Sequence, residues 1–128
     1  MTPLGRWPIR AVLVRPARGI DPASIHLPWR WIDASDGWSD DPADPGYNRP
    51  VRWPHGHSAE ELARADQAYD AIIVLGHNDS PPLPGLGSAI FLHIWIDGRP
   101  TEGCVAISKD AMIALLAELT PEDVIDIS

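Results

Sequence analysis

The chain has 128 residues, a length that suits a single domain with one hydrophobic core. Its hydrophobic fraction of 45% and charged fraction of 22% are those of a globular protein and argue against a disordered or membrane-spanning chain. Ten Lys and Arg against 18 Asp and Glu give a net charge of −8, which excludes nucleic acid as a partner. The 14 prolines and 10 glycines exclude an all-α bundle.

The first half of the chain contains one clear strand and then a long connection. The short, β-branched run Ile9–Val14 predicts a strand, which Pro16 closes. From there to Pro54 we expect an irregular connection, which holds four of the six tryptophans and the acidic, proline-rich run Asp36–Asn48. This connection is either a lid held down by its tryptophans or the aromatic wall of a substrate groove.

A capping signal and a buried strand follow the connection. Ser58 and, three residues later, Glu61 form a capping box, which predicts a short helix that continues to about Gln67. The apolar run Asp70–Leu75 predicts a buried strand, and the polar turn after it contains Asn78.

The strongest strand signal of the chain is Ala89–Ile96. The pair Asp97-Gly98 follows it and favours a tight hairpin turn. Ser108 is the predicted N-cap of a second helix with one apolar face, and Val124–Ile127 is predicted as the last strand. The pattern therefore predicts a mostly β fold with two short α-helices, in one domain that spans residues 1–128.

The predicted hairpin brings one histidine close to the one cysteine. In a two-residue hairpin His93 faces Glu102, and Cys104 lies two positions further along the same face, roughly 7–8 Å away diagonally. Gly103 permits a bulge that shortens this gap. An imidazole that accepts the thiol proton generates a nucleophilic thiolate. The pattern therefore predicts either a cysteine nucleophile with a histidine base, or a buried cysteine beside a hydrogen-bonded core histidine.

The groups that would support such a pair are in the main chain. No Asp or Glu is placed to orient the imidazole, so the backbone carbonyl of Ile94 is the candidate for that role. The backbone N–H groups of Gly103 and Cys104, just before a helix, are candidates for an oxyanion hole. One cysteine excludes an intramolecular disulfide, and the pair His55 and His57 has no defined third ligand, so we expect neither metal nor cofactor.

The segment Thr101–Ser108, preceded by Ile90–His93, resembles the active-site motif of the YkuD-type L,D-transpeptidase catalytic domain. In that family a histidine follows an apolar strand, and Ser/Thr-His-Gly-Cys-Ile/Val-Arg then precedes a capped helix. Thr2–Gly5 is similar to the family's Thr-Pro-x-Gly element. The resemblance implies a β-sandwich-like fold and a cysteine acyltransferase that needs no cofactor. Its substrates are peptidoglycan stem peptides, attacked at the diaminopimelate carbonyl with release of D-Ala.

The resemblance also implies a role for individual residues. Cys104 is the nucleophile, His93 is the general base, the carbonyl of Ile94 orients that base, and Gly103 with Cys104 supplies the oxyanion N–H groups. We expect further substrate contacts from Asn78, Trp95, Thr101 and Glu102.

Three positions depart from the family motif. Glu102 stands in place of histidine, Ala106 in place of arginine, and Ile94 in place of the usual Gly or Ser. The missing arginine removes a fixed cation for a substrate carboxylate. We expect Glu102 to raise the pKa of the thiol by like-charge repulsion. Altered substrate choice or slower acylation would follow.

The start of the chain and the acceptor of the acyl group leave alternatives open. The strands that precede the Thr-Pro-x-Gly element in the family are absent from the sequence, so either the chain is truncated or this branch has fewer strands. The resemblance implies the periplasm or cell envelope, although the sequence shows no signal peptide and no run of about 18 apolar residues. The acceptor is an amine, or water in an L,D-carboxypeptidase. A non-catalytic module that binds wall peptides is the alternative to an enzyme.

Overall fold

The structure is a computed structural model that describes residues 3–79, 81–96 and 105–127. In chain order these residues form β1 (Gly5–Val14), β2 (Trp29–Trp31), β3 (Asp36–Ser39), β4 (Pro50–Arg52), β5 (Ala59–Glu61), β6 (Ala71–Leu75), β7 (Phe91–Ile94), β8 (Val105–Ile107), α1 (Lys109–Glu118) and β9 (Val124–Ile127). A single 3₁₀ turn, Pro22–Ser24, lies between β1 and β2.

A large sheet with the strand order β2-β1-β6-β7-β8 forms the centre of the fold. The long strand β1 has three partners: its first half pairs with β9, and its second half lies between β6 and β2. The pairings with β9 and β6 are antiparallel. β6 and β7 are antiparallel, while β2 and β8 run parallel to their neighbours. Every residue of β6 and β7 is buried, as expected for apolar runs in the middle of a covered sheet.

The two faces of the large sheet bury different apolar clusters. On one face α1 packs Met112 and Leu116 into a cluster that includes Leu92 and Ile94 of β7. On the other face a small sheet of order β4-β3-β5 covers a cluster that includes Phe91 of β7. The fold is therefore mostly β and sandwich-like, as predicted. In the described part of the chain no helix has the length and apolarity that crossing a bilayer requires.

Four strands and one helix cap predicted from local sequence signals are confirmed. The strands predicted over Ile9–Val14, Asp70–Leu75, Ala89–Ile96 and Val124–Ile127 correspond to β1, β6, β7 and β9. Ser108 is the N-cap of α1, and its hydroxyl oxygen accepts a hydrogen bond from the Ala111 amide at 3.1 Å.

The helix predicted from Ser58 to about Gln67 is wrong, so the described residues contain one α-helix rather than two. Strand β5 stands at its start and pairs with β3, with Glu60 opposite Trp38. Leu62, just after this strand, is fully buried. A helix of about two turns has little stability on its own. The pairing of β5 with β3 and the burial of Leu62 therefore outweigh the capping signal.

The predicted turn Asp97-Gly98 lies outside the described residues, as does Glu102. The next described strand, β8, pairs with β7 in parallel rather than in the antiparallel sense of a hairpin, and His93 lies opposite Ala106. This register sets Val105 and Ile107 beside the apolar residues of β7 on the face that α1 covers. Burial against the helix therefore decides the strand direction, which a local turn signal does not encode.

The connection predicted between β1 and Pro54 as irregular contains β2, β3 and β4. Trp38 is buried in it and donates from Nε1 to Oδ1 of Asn48 at 2.9 Å. Trp29 and Trp31 lie exposed on β2, at the edge of the large sheet. The segment thus supplies an edge strand of the large sheet and two of the three strands of the small sheet, which is the second layer of the fold. These strands are too short for their periodicity to be detected in the sequence.

Candidate active site

The candidate site is built around His93, which β7 carries into the interior. Its exposed fraction is 4%. Side chains alternate along a strand, so His93 shares a face with Phe91 and points away from α1. The imidazole therefore lies on the side of the sheet that the second layer covers.

The orientation of the imidazole is set by the main chain. Nδ1 of His93 lies 3.0 Å from the carbonyl oxygen of Ile94. The amide of Ile94 in turn donates to the carbonyl of Ala68 at 3.0 Å, which holds this residue in place. A carbonyl only accepts hydrogen bonds, so Nδ1 carries the hydrogen and Nε2 of the neutral ring keeps its lone pair. The basic nitrogen of His93 is therefore Nε2.

An aromatic ring from the segment just before β6 supports the imidazole. The ring of Tyr69 meets it edge-on, with the centroids 5.4 Å apart and the planes at 83°. The Tyr69 hydroxyl donates to Oε1 of Glu60 at 2.6 Å, and the Arg64 guanidinium lies 5.1 Å from the Tyr69 ring centroid. The tyrosine is thus held from both sides and restricts the position of His93.

Burial lowers the pKa of His93 below its ordinary value of 6.5. The hydrogen bond to the Ile94 carbonyl opposes this shift, as do the charges of Glu60 and Asp66, while the charge of Arg64 adds to it. The balance favours the neutral ring, which is the form that accepts a proton from a thiol at neutral pH.

Some of the predicted site residues are among the described residues, and the others are not. Ile94 contacts the imidazole through its carbonyl, as described above. Trp95, directly after β7, is 41% exposed, and its carbonyl accepts from the side chain of Gln67 at 3.1 Å. The remaining predicted residues lie outside the described residues: Thr101, Glu102, Gly103 and Cys104.

Asn78 is not brought to His93. It follows the end of β6, whereas the antiparallel register puts His93 beside the start of that strand. Its side-chain amide donates to the carbonyls of Leu83 and Gly87, and its oxygen accepts from the Leu83 amide at 2.8 Å. The side chain thus closes its own loop, a structural role in the part of the chain described.

The sequence interpretation missed the neighbours of the imidazole. Tyr69 and Glu60 come from the segments before β6 and within β5, and no local motif marks either residue. Tyr69 could be placed beside His93 only by knowing that β6 and β7 are antiparallel neighbours, because the residues just before β6 then lie beside the end of β7. The sequence does not show this order of strands.

Two histidines outside this site, His55 and His57, contact carboxylates. Nε2 of His55 lies 2.7 Å from Oδ2 of Asp44, and Nδ1 of His57 lies 3.1 Å from Oδ2 of Asp41. Within residues 3–79, 81–96 and 105–127, no group of three or more His, Cys, Asp and Glu is arranged to hold a metal ion.

Comparison with known proteins gives a match at the level of the family. The family model described as YkuD, L,D-transpeptidase catalytic domain, matches residues 1–127. No curated protein and no solved structure matches the chain.

Proposed function

Because this chain belongs to the YkuD family of L,D-transpeptidase catalytic domains, which act on peptidoglycan, we propose that it is a cysteine acyltransferase for peptidoglycan stem peptides. In this proposal Cys104 is the nucleophile and His93 the general base. The enzyme works as a single catalytic domain in the periplasm or cell envelope, where its substrate lies.

The observation that carries the proposal is the state of His93. Its Nδ1 is held by the Ile94 carbonyl, which leaves Nε2 as the basic nitrogen, and burial lowers the pKa of the ring. A fixed, neutral imidazole of this kind suits proton transfer to and from a reacting group.

The register of β7 and β8 supports the assignment of the nucleophile. Val105 pairs with Leu92, the residue next to His93, and Ala106 lies opposite His93 itself. Cys104 is bonded to Val105, and consecutive α-carbons are about 3.8 Å apart. In the sequence Cys104 therefore comes directly before β8, the strand that pairs with the His93 strand β7.

The proposed reaction has two steps. In the first, His93 accepts the thiol proton, and the sulfur of Cys104 attacks the carbonyl carbon of the bond before the terminal D-Ala. The C–N bond breaks, the D-Ala nitrogen takes the proton from the imidazolium, and a thioester remains. In the second, His93 removes a proton from an incoming amine, which attacks the thioester, forms a new amide and restores the thiol. N–H groups of Gly103 and Cys104 stabilise the oxyanion in both steps.

The test is product analysis after incubation with a disaccharide-tetrapeptide. We expect release of D-Ala by the wild type and none by Cys104→Ala, whose fold is checked by circular dichroism. A cross-linked dimer in the product identifies an amine acceptor, whereas a disaccharide-tripeptide alone identifies water and an L,D-carboxypeptidase. Binding of the fragment without release contradicts the proposal and supports a non-catalytic wall-peptide module.

A further inference from the structure

A second polar site lies on the face of the large sheet that His93 shares, at the end of β6 and the start of β7. It is a cavity of about 230 Å³ between the two layers, and the side chains that matter to its chemistry are Arg10, Arg49, Asp79, Trp38 and Phe91. Phe91 is buried and stands two residues before His93 on the same face of β7. Residues two apart in a strand are separated by about 7 Å, so the Phe91 wall of this cavity lies about that far from His93 along β7, while Asp79 lies further away, beyond the end of β6.

The two arginines converge on one residue, Asp79. Arg10 donates from Nε and from a terminal nitrogen to the two oxygens of Asp79, at 3.0 and 3.2 Å. Arg49 donates to the backbone carbonyl of Asp79 and to that of Asn48. Both guanidinium groups are thereby fixed, and both residues remain exposed to solvent at the mouth of the cavity.

The backbone is shaped to hold Arg10 in this position. The register of β1 against β6 shifts between Ile9 and Ala11, so Arg10 is the extra residue of a β-bulge. A Cβ at Gly76 would lie 2.6 Å from Nε of Arg10 and 2.7 Å from Cγ of Pro8. The glycine and the bulge together let the arginine side chain cross the strand and reach Asp79.

The charge of the cavity points to an anion. Two guanidinium groups against one carboxylate leave a net positive charge, in a chain whose net charge is −8. A guanidinium has more N–H donors than the bonds described here use, and its fork matches a carboxylate. The apolar walls of Trp38 and Phe91 would exclude water from such a pair and strengthen it.

We propose that this cavity binds a carboxylate of the stem peptide and supplies the cation that the family motif provides where this chain has Ala106. The proposal rests on the proposed function for the identity of the peptide. A tetrapeptide offers two carboxylates of the same chemistry, one at the D-Ala terminus and one on the diaminopimelate side chain. A carboxylate held by Arg10 and Arg49 would fix the peptide relative to His93 without entering the reaction.

The test measures binding by calorimetry in a Cys104→Ala background, so that it does not depend on turnover. The ligands are the disaccharide-tetrapeptide and two analogues, one amidated at the D-Ala carboxyl and one at the diaminopimelate side chain. We expect one amide to bind about 10- to 100-fold more weakly than the acid. The variant Arg49→Gln, and likewise Arg10→Gln, should bind that amide and the acid with equal affinity. The analogue that loses affinity identifies the carboxylate.

The matched control is Arg6→Gln, because Arg6 is an exposed arginine of the same strand that pairs with Asp126. It should keep the full preference for the acid, and thermal melting checks the fold of each variant. The proposal is overturned if neither amide loses affinity, if the preference survives in both arginine variants, or if the peptide does not bind at all. D-Ala release without this preference would contradict the carboxylate site alone. A preference without D-Ala release would contradict the enzyme alone.

Discussion

At the scale of single residues, the tautomer and charge of His93 decide what the site can do. The carbonyl of Ile94 fixes the hydrogen on Nδ1, and burial keeps the ring neutral at neutral pH. Tyr69 then limits the rotation of the ring. In the proposed role of general base, His93 would need no carboxylate partner, because the main-chain carbonyl of Ile94 orients its ring.

The pH dependence of activity follows from the lowered pKa of His93. Protonation removes its capacity to accept a proton, and burial disfavours that protonation, so kcat/KM for D-Ala release should fall only below pH 6.5. His93→Gln should lower kcat/KM by about 10²–10⁴-fold. The exposed histidine variant His26→Gln should leave the profile unchanged. An acid limb at or above pH 6.5, or an active His93→Gln, would contradict this role.

Glu102, which replaces the motif histidine, is expected to act on the thiol through its charge. Glu102→His removes a negative charge beside Cys104 and should shift the pH profile of thiol alkylation by iodoacetamide to lower pH. Glu118→His, at the exposed end of α1, is the matched control and should not change the profile. The same profile in Glu102→His and wild type would remove this residue from the explanation of reactivity.

At the scale of elements, the bulge in β1 and the glycine that follows β6 form one unit. Ile9 pairs with Leu75 and Ala11 with Val74, so the alternation of side chains reverses across Arg10. The ladder resumes on both sides of the bulge, and the arginine leaves it to reach Asp79. A local irregularity of the sheet thus creates one wall of the proposed carboxylate site.

Gly76→Ala tests this unit directly. Its Cβ would overlap Arg10 and Pro8, so we expect a loss of about 1–3 kcal/mol in the free energy of unfolding, measured in urea. Gly56→Ala is the matched control, since a Cβ there meets nothing within 4 Å, and it should change stability by less than about 0.5 kcal/mol. If Gly76→Ala and wild type have the same free energy of unfolding, the position of the Arg10 side chain does not require a glycine at residue 76.

At the scale of the whole molecule, polar side chains inside the second layer join its short strands. Asp44 accepts from the Ser39 hydroxyl at 2.6 Å and from the Gly46 amide at 2.8 Å, and Nε2 of His55 lies 2.7 Å from it. Asn48 connects Trp38 of this layer to the carbonyls of His77 and Asn78 after β6. The layer that covers His93 is therefore held by specific hydrogen bonds as much as by apolar packing.

Acid should weaken this layer through Asp44. The hydrogen bonds from Ser39, Gly46 and His55 hold the pKa of its carboxyl well below the ordinary value of 3.8. The folded state thus favours the carboxylate, so its contribution is present above about pH 3.8 and is lost as the pH falls further. Asp44→Asn should be less stable than wild type at pH 7, and this difference in unfolding free energy should shrink below pH 4.

The control for this prediction is Asp40→Asn, an exposed carboxylate next to the same layer. Its difference from wild type should stay the same between pH 7 and pH 3, measured by thermal or urea unfolding. A constant difference for Asp44→Asn as well would contradict the proposed coupling of this carboxylate to acid stability.

The sequence was informative wherever the signal is local. The apolar run of β6, the strand around His93, the Ser108 cap and the last strand were all predictable, because each depends on neighbouring residues alone. The parallel pairing of β7 with β8 and the strand β5 were not, since burial against α1 and pairing with β3 decide them. Tyr69 reaches His93 only through the sheet order, so the same limit applies to the site.

The most direct test of the central claim is the intact mass of the protein during incubation with the disaccharide-tetrapeptide, quenched in acid. We expect an adduct with the mass of the substrate less D-Ala, located at Cys104 by peptide mapping and released by hydroxylamine, as a thioester is. The same experiment on Cys104→Ala should give no adduct. Release of D-Ala by the wild type with no adduct, in samples quenched within the first turnover, would contradict covalent catalysis by Cys104.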